Sequence, residues 1–150
     1  MFSWTLVKAY EVPSDWAAMR KEWAAWPSPH ASPFSPLQWE LLQDLPAFDR
    51  FITETLRWSS VVPMGFRAAT GDLAIDGKYV PAGWTVAYGL DAYHHDAANF
   101  KEPERFCPMR YLTPGMASVE PMPFGGGPHT CLGMGLFLLE MKALLVLIQR

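Results

Sequence analysis

The stretch Phe124-Gly125-Gly126-Gly127-Pro128-His129-Thr130-Cys131-Leu132-Gly133 decides the reading of this chain. It sets a glycine-rich loop and one cysteine in front of the long apolar run from Leu132 to Ile148. The thiolate, not the thiol, binds metals, and the N-terminus of a helix favours the anion. In a helix begun at that point the N–H groups of Leu132 and Gly133 have no acceptor of their own, so they can point at the sulfur. Gly125, Gly126 and Gly127 carry no Cβ, which lets the backbone turn sharply and lie flat against a bulky group. Pro128 stiffens the approach. The stretch predicts a seat for one thiolate ligand beside a large flat group. The competing reading is a buried, inert cysteine, since free cysteines commonly behave as small hydrophobes.

Upstream, two segments bear on the loop. Leu45-Pro46 opens a predicted helix, with Phe48, Phe51, Ile52, Thr55 and Leu56 on one face at helical spacing. Glu54 and Arg57 lie three apart on it and are neighbours, a pair worth a few tenths of a kcal/mol if it is on the surface. Asn99 to Tyr111 is a charged loop containing Phe100, Pro103, Arg105 and Phe106. Leu112 to Pro123, with Pro114, Gly115, Pro121 and Pro123, continues as loop into the cysteine stretch.

The remaining chain reads as punctuated helices and a small β-region. Met1 to Tyr10 is apolar, like the end of a helix, and Val12-Pro13-Ser14-Asp15 starts another with Ser14 or Asp15 as its cap. Trp16, Met19, Trp23 and Trp26 then form a stripe whose ordinary meaning is core, with Arg20, Lys21 and Glu22 on the solvated face. Pro27 to Pro36 is proline-rich loop holding His30, and Leu37 to Leu45 a short helix or turn. Val61 to Arg67 is extended. Leu73 to Ile75, Asp76-Gly77 and Tyr79 to Val86 predict a hairpin, and Pro81-Ala82-Gly83 a second turn before Trp84 to Tyr88. Leu90 to His95 is a short helix whose His94 and His95, lacking a third ligand at suitable spacing, read as solvated or hydrogen-bonded.

Composition excludes several classes. The 150 residues are 50% hydrophobic and 14% aromatic, which rules out a disordered chain. The net charge of -3 argues against nucleic acid as partner. Cys107 and Cys131 make no disulfide framework. Met1 to Tyr10 lacks a basic segment followed by a long apolar run, so no secretory signal is read there. Leu132 to Ile148 contains Glu140 and Lys142 and is short for a membrane span, so it predicts a buried helix.

The cysteine stretch resembles the haem-binding loop of the cytochrome P-450 family, the haem-thiolate monooxygenases. Phe124, Gly127, His129, Cys131 and Gly133 fill that pattern without a gap. Glu54-Thr55-Leu56-Arg57 is similar to the family's Glu-x-x-Arg helix, and the separation of Arg57 from Cys131 (131 − 57 = 74) suits it. Phe100, Pro103, Arg105 and Phe106 match its Phe-x-x-Pro-x-Arg-Phe stretch. The resemblance implies a mainly α fold with a small β-region and the C-terminal part of the family's domain. Residues 1–150 are then a partial domain, without the N-terminal half and the oxygen-activating helix. It implies heme b with Cys131 as axial iron ligand, Phe124 near the sulfur, His129 and Arg67 as propionate partners, and Gly127 and Gly133 shaping the loop. The last helix then packs on the proximal side of the haem. Val61, Val62, Met64 and Phe66 are implied substrate contacts. Glu54, Arg57 and Arg105 are the implied structural triad, with Arg110 as the runner-up arginine. No residue of the chain is assigned a catalytic role.

The implied reaction inserts one oxygen atom from O2 into a hydrophobic organic substrate, with retinoid-like or sterol-like lipids as the nearest resemblance. Electrons come from a ferredoxin or reductase, met by positive residues such as Lys142. The isolated 150 residues are expected to be inactive alone. A non-enzymatic haem-binding or partner-binding fragment is the alternative. The implied location of the full-length protein is cytoplasmic or attached to the cytoplasmic side of a membrane.

Overall fold

The computed structural model describes residues 2–25 and 42–149. Among them are five α-helices and two small antiparallel sheets: α1 (Phe2–Glu11), α2 (Pro13–Ala24), α3 (Pro46–Trp58), β1 (Met64–Ala68), β2 (Leu73–Ile75), β3 (Lys78–Val80), β4 (Thr85–Gly89), α4 (Leu90–His94) and α5 (Met134–Gln149). Two 3-10 turns, Pro108–Leu112 and Gly127–His129, sit in the long C-terminal loops. The mainly α class with a small β-region is the architecture observed.

Helix α3 is the hub. Phe48, Phe51, Ile52, Thr55 and Leu56 are all buried, at the spacing that gives a helix one continuous apolar face. Around it pack Ala9 of α1, Met19 of α2, and Met141, Leu145 and Val146 of α5. Burying one such large apolar side chain contributes about 1.5–3 kcal/mol. Trp16 and Trp23 pack against this core, whereas Trp26, the loop with His30 and residues 37–41 lie outside the described residues.

One helix start and one charged side chain differ from expectation. Helix α2 begins at Pro13 with Val12 in the cap position, and neither Ser14 nor Asp15 caps it. Pro13 presets the first helical φ and has no N–H needing an acceptor. Glu22, expected on the solvated face, instead holds the backbone N–H of Ala47 with both carboxylate oxygens, at 2.9 and 3.1 Å. It is a cap supplied from a different helix, placed against the positive end of α3.

The β-region is nested. β2 pairs with β3 across Asp76-Gly77, both at positive φ (48° and 74°), the geometry an Asp-Gly hairpin turn requires. The run expected from Tyr79 to Val86 is interrupted at the Pro81-Ala82-Gly83 turn. Beyond it β4 pairs with β1, in the register Met64↔Gly89 to Ala68↔Thr85. Gly65 lies opposite Tyr88, and a Cβ there would come within 2.2 Å of the ring. A side chain larger than hydrogen there would force the Tyr88 ring to move. No helix among the described residues is long and apolar enough to cross a membrane.

Candidate functional site

The site begins at the buried face of α3. Glu54 and Arg57 form the expected pair, with Arg57 Nε donating to Glu54 Oε2 at 2.9 Å, and neither side chain reaches solvent. The second arginine on this carboxylate is Arg110, not Arg105. Arg110 Nε donates to Oε1 at 3.0 Å and to Oε2 at 3.1 Å, again with both side chains fully buried. Arg105 turns outward, 62% exposed, and pairs with Glu102 at 3.0 Å. Glu102 has a positive φ of 50°, in a tight turn that sets Glu102 and Arg105 side by side on the surface. Arg110 instead lies in the 3-10 turn that packs on α3. Arg105 joins the cluster through its backbone: its carbonyl accepts from Arg110 Nη2 at 2.7 Å and Arg57 Nη2 at 3.4 Å.

Two further donors were not legible beforehand. The N–H of Cys107 reaches Glu54 Oε1 at 2.8 Å, and the Tyr111 hydroxyl reaches Oε2 at 2.9 Å. Burial, and then the Glu54 charge, push the Tyr111 phenol well above its ordinary value, so it stays a donor. One buried carboxylate thus gathers helix, loop and turn. A buried charge is tolerated because it is paired and hydrogen-bonded on both oxygens. Phe106 closes the cluster from the side, edge-on to Phe51 at 5.3 Å.

The cysteine loop sits against α5. Phe124 packs edge-on to Phe137 at 5.6 Å, and its carbonyl accepts from Cys131 N–H at 2.9 Å. That bond folds the stretch into a closed turn. Gly125 and Gly127 occupy positive φ (72° and 64°), where other residues are strained. At Gly126 a Cβ would meet the Met122 methyl at 2.7 Å. Helix α5 starts at Met134, two residues later than the sequence suggests, because Leu132 and Gly133 complete the turn. The Cys131 thiol is exposed. Among the described residues no protein acceptor takes the N–H of Leu132 or Gly133. Among the described residues no three His, Cys, Asp or Glu side chains gather around one point. The donor set is therefore a single sulfur with open N–H groups behind it. That set fits a metal carried in its own macrocycle, not one caged by protein side chains.

Among the described residues, Arg67, Val61, Val62, Met64 and Phe66 make no hydrogen bond to the cysteine loop. Arg67 is exposed, donates to its own strand at Phe66 O (2.8 Å) and lies 5.3 Å over the Tyr88 ring. It forms no ion pair among the described residues, and neither does the exposed His129, so both remain available to an anionic group. Val61, Val62, Met64 and Phe66 are all exposed apolar side chains. Met64 and Phe66 share one face of β1, and Arg67 falls on the other. Lys142 does not offer a charge to a partner: it is nearly buried, 2.7 Å from Asp49 Oδ1, and donates to Gln43 O. His94 is fully buried and His95 bonds Asp91. Burial, and then the Arg57 charge, lower the His94 pKa to about 4.

A cysteine turn in front of an apolar helix, braced by a buried carboxylate–arginine cluster, defines a mainly α protein with one exposed thiol ready to bind. The family model described as cytochrome P-450 matches residues 2–150. The chain is 40% identical to abscisic acid 8'-hydroxylase 2 of Arabidopsis thaliana over 110 residues, which cover 73% of this chain and 22% of that protein. It is 37% identical to thromboxane-A synthase of Sus scrofa over 119 residues, 77% of this chain and 22% of that protein. It is 30% identical to abscisic acid 8'-hydroxylase 3 of Oryza sativa subsp. japonica over 145 residues, 97% of this chain and 29% of that protein. The chain belongs to the cytochrome P-450 family, whose cofactor is haem held by a cysteine thiolate. It spans less than a third of the length of these relatives.

Proposed function

We propose that this chain is the haem-holding part of a haem-thiolate monooxygenase and that Cys131 is the axial ligand. The observation that carries the reading is the exposed Cys131 thiol on a closed glycine turn, backed by two N–H groups that have no protein acceptor among the described residues. Phe124, packed on Phe137, would limit the access of solvent to the sulfur from the α5 side once the group is bound. His129 and Arg67 hold the propionates through charge-assisted hydrogen bonds. Gly127 and Gly133 keep the turn flat enough for close approach. Glu54, Arg57 and Arg110 hold the Cys107 end of the preceding loop on α3. Bound haem supplies O2 activation, to which an axial thiolate adds electron density.

The substrate is a hydrophobic organic molecule, retinoid-like or sterol-like in class, met by Val61, Val62, Met64 and Phe66. Two relatives are hydroxylases by name, which supports oxygen insertion as the reaction. A ferredoxin or reductase supplies the electrons. Residues 1–150 are read as part of a longer domain, consistent with their share of the relatives' length.

The test is to load the chain with haem and compare wild type with Cys131→Ser. The carbon monoxide spectrum of the reduced protein should carry a thiolate signature that the variant lacks. Retention of that signature in Cys131→Ser would sink the ligand assignment. Turnover of a lipid substrate with a reductase tests the reaction itself. Haem binding without turnover favours a non-enzymatic haem-binding role.

A further inference from the structure

We propose that His94 is a positioning residue for the cysteine loop, acting as a clamp between Ser60 beyond the end of α3 and the backbone of Met122. The inference rests on the reading of Cys131 as iron ligand. His94 lies in α4, thirty-seven residues before Cys131 (131 − 94 = 37), and no sequence motif connects the two. Its side chain is completely buried, yet it uses both ring nitrogens. The Met122 N–H donates to Nε2 at 2.9 Å. A neutral imidazole that accepts at Nε2 carries its proton at Nδ1. Nδ1 therefore donates to Ser60 Oγ, 2.8 Å away. The tautomer is fixed by the partners.

The consequences run along Met122. Its carbonyl accepts from Gly125 N–H at 3.0 Å, and its methyl occupies the space that a Cβ on Gly126 would need. Met122 thus sets where the glycine turn begins, and Phe124, two residues on, bonds the Cys131 N–H. On the other side, the His94 carbonyl accepts from Arg57 Nη1 at 2.8 Å. Tyr93 and Phe100 stand around the imidazole at 5.6 and 6.3 Å, so the ring cannot swing to other partners. His94 is the point where the buried Glu54–Arg57–Arg110 cluster and the cysteine turn are tied together. A loop held at its entry would present the Cys131 sulfur in one position; a loop released there would present it in several and would hold it less firmly as a thiolate ligand. Partners behind a ligand commonly change metal affinity or activity 10–100-fold when removed, roughly.

The experiment uses the haem-loaded chain and reads the ratio of thiolate-ligated to neutral-sulfur iron in the reduced carbon monoxide spectrum, beside haem content. His94→Phe keeps the ring and removes both hydrogen bonds. It should lower the ratio about tenfold. His94→Gln can still accept from Met122 and should hold the ratio near wild type. Ser60→Ala removes the far partner but leaves the Met122 bond, and should lower stability while sparing the ratio. A haem-loaded His94→Phe with the wild-type ratio overturns the proposal. So does a Ser60→Ala ratio as low as that of His94→Phe, because the effect then follows stability alone. If His94→Phe takes up no haem, His94→Gln decides: a wild-type ratio supports the clamp, and an equally empty protein overturns it. Should the wild type show no thiolate signature, or Cys131→Ser keep it, the ligand assignment has failed and not the clamp.

Discussion

At the scale of single residues, the chemistry of this chain turns on which arginine faces Glu54. The sequence supplies two candidates five apart, and the one in the better-matched motif, Arg105, is the one on the surface. Motif matching located the segment correctly, because the Arg105 carbonyl, the Phe106 ring and the Cys107 N–H all touch the cluster. It could not say which side chain turns inward, since that depends on the positive φ at Glu102 and the 3-10 turn after Cys107. The two arginines predict opposite outcomes. Arg110→Ala strands a buried carboxylate between fewer donors and should destabilise the fold by roughly 3–5 kcal/mol in urea unfolding. Arg105→Ala removes an exposed, solvent-screened pair and should leave the urea midpoint near that of the wild type. Equal losses for the two variants would refute the geometry.

At the scale of elements, local signals served best where an element's cause is local. The apolar spacing of α3, the Asp-Gly turn between β2 and β3 and the proline start of α3 are all short-range features, and all appear in the structure. What stayed hidden is the long-range pairing. β1 meets β4 across a stretch of chain that holds its own hairpin, and nothing in either strand names the other. The capping of α3 by Glu22 is of the same kind, with twenty-five residues between donor and acceptor. A charge three residues after Met19 reads as surface until another helix end arrives beside it. Because that carboxylate meets an N–H that the helix cannot satisfy, Glu22→Ala should lower stability by about 1 kcal/mol, the usual worth of a cap. Glu22→Gln should recover part of it, since an amide oxygen still accepts. Thermal unfolding of the three proteins at one pH settles the order, and a neutral Glu22→Ala would mean that water serves Ala47 equally well.

At the scale of the whole molecule, the core and the proposed haem seat are separate but mechanically linked. Apolar side chains from α1, α2, α3 and α5 supply the core, Phe124 of the cysteine turn packs against it, and polar contacts at Glu54 and His94 hold the loop segments at Cys107 and Met122 that lead into that turn. A fold joined this way should feel pH through the joint. His94 has its pKa lowered to about 4, first by burial, then by the positive charges of Arg57 and His95, with Asp91 opposing. Its ordinary value is 6.5. Above that value the residue is neutral in both folded and unfolded chains and adds no pH dependence. Between 6.5 and about 4 the unfolded chain takes up a proton that the folded one refuses, so stability falls as the pH falls. Protonation also converts Nε2 from acceptor to donor, which breaks the bond from Met122 N–H and frees the entry to the cysteine turn. The urea midpoint should therefore drop across this window in the wild type. In His94→Gln that component of the slope is absent, so the variant, less stable near neutral pH, should approach the wild type as the pH nears 4. Parallel midpoint curves for the two proteins would show that folded His94 takes up its proton as readily as the unfolded chain does, and would mean that nothing in the fold, the bond from Met122 included, holds the imidazole neutral across this window.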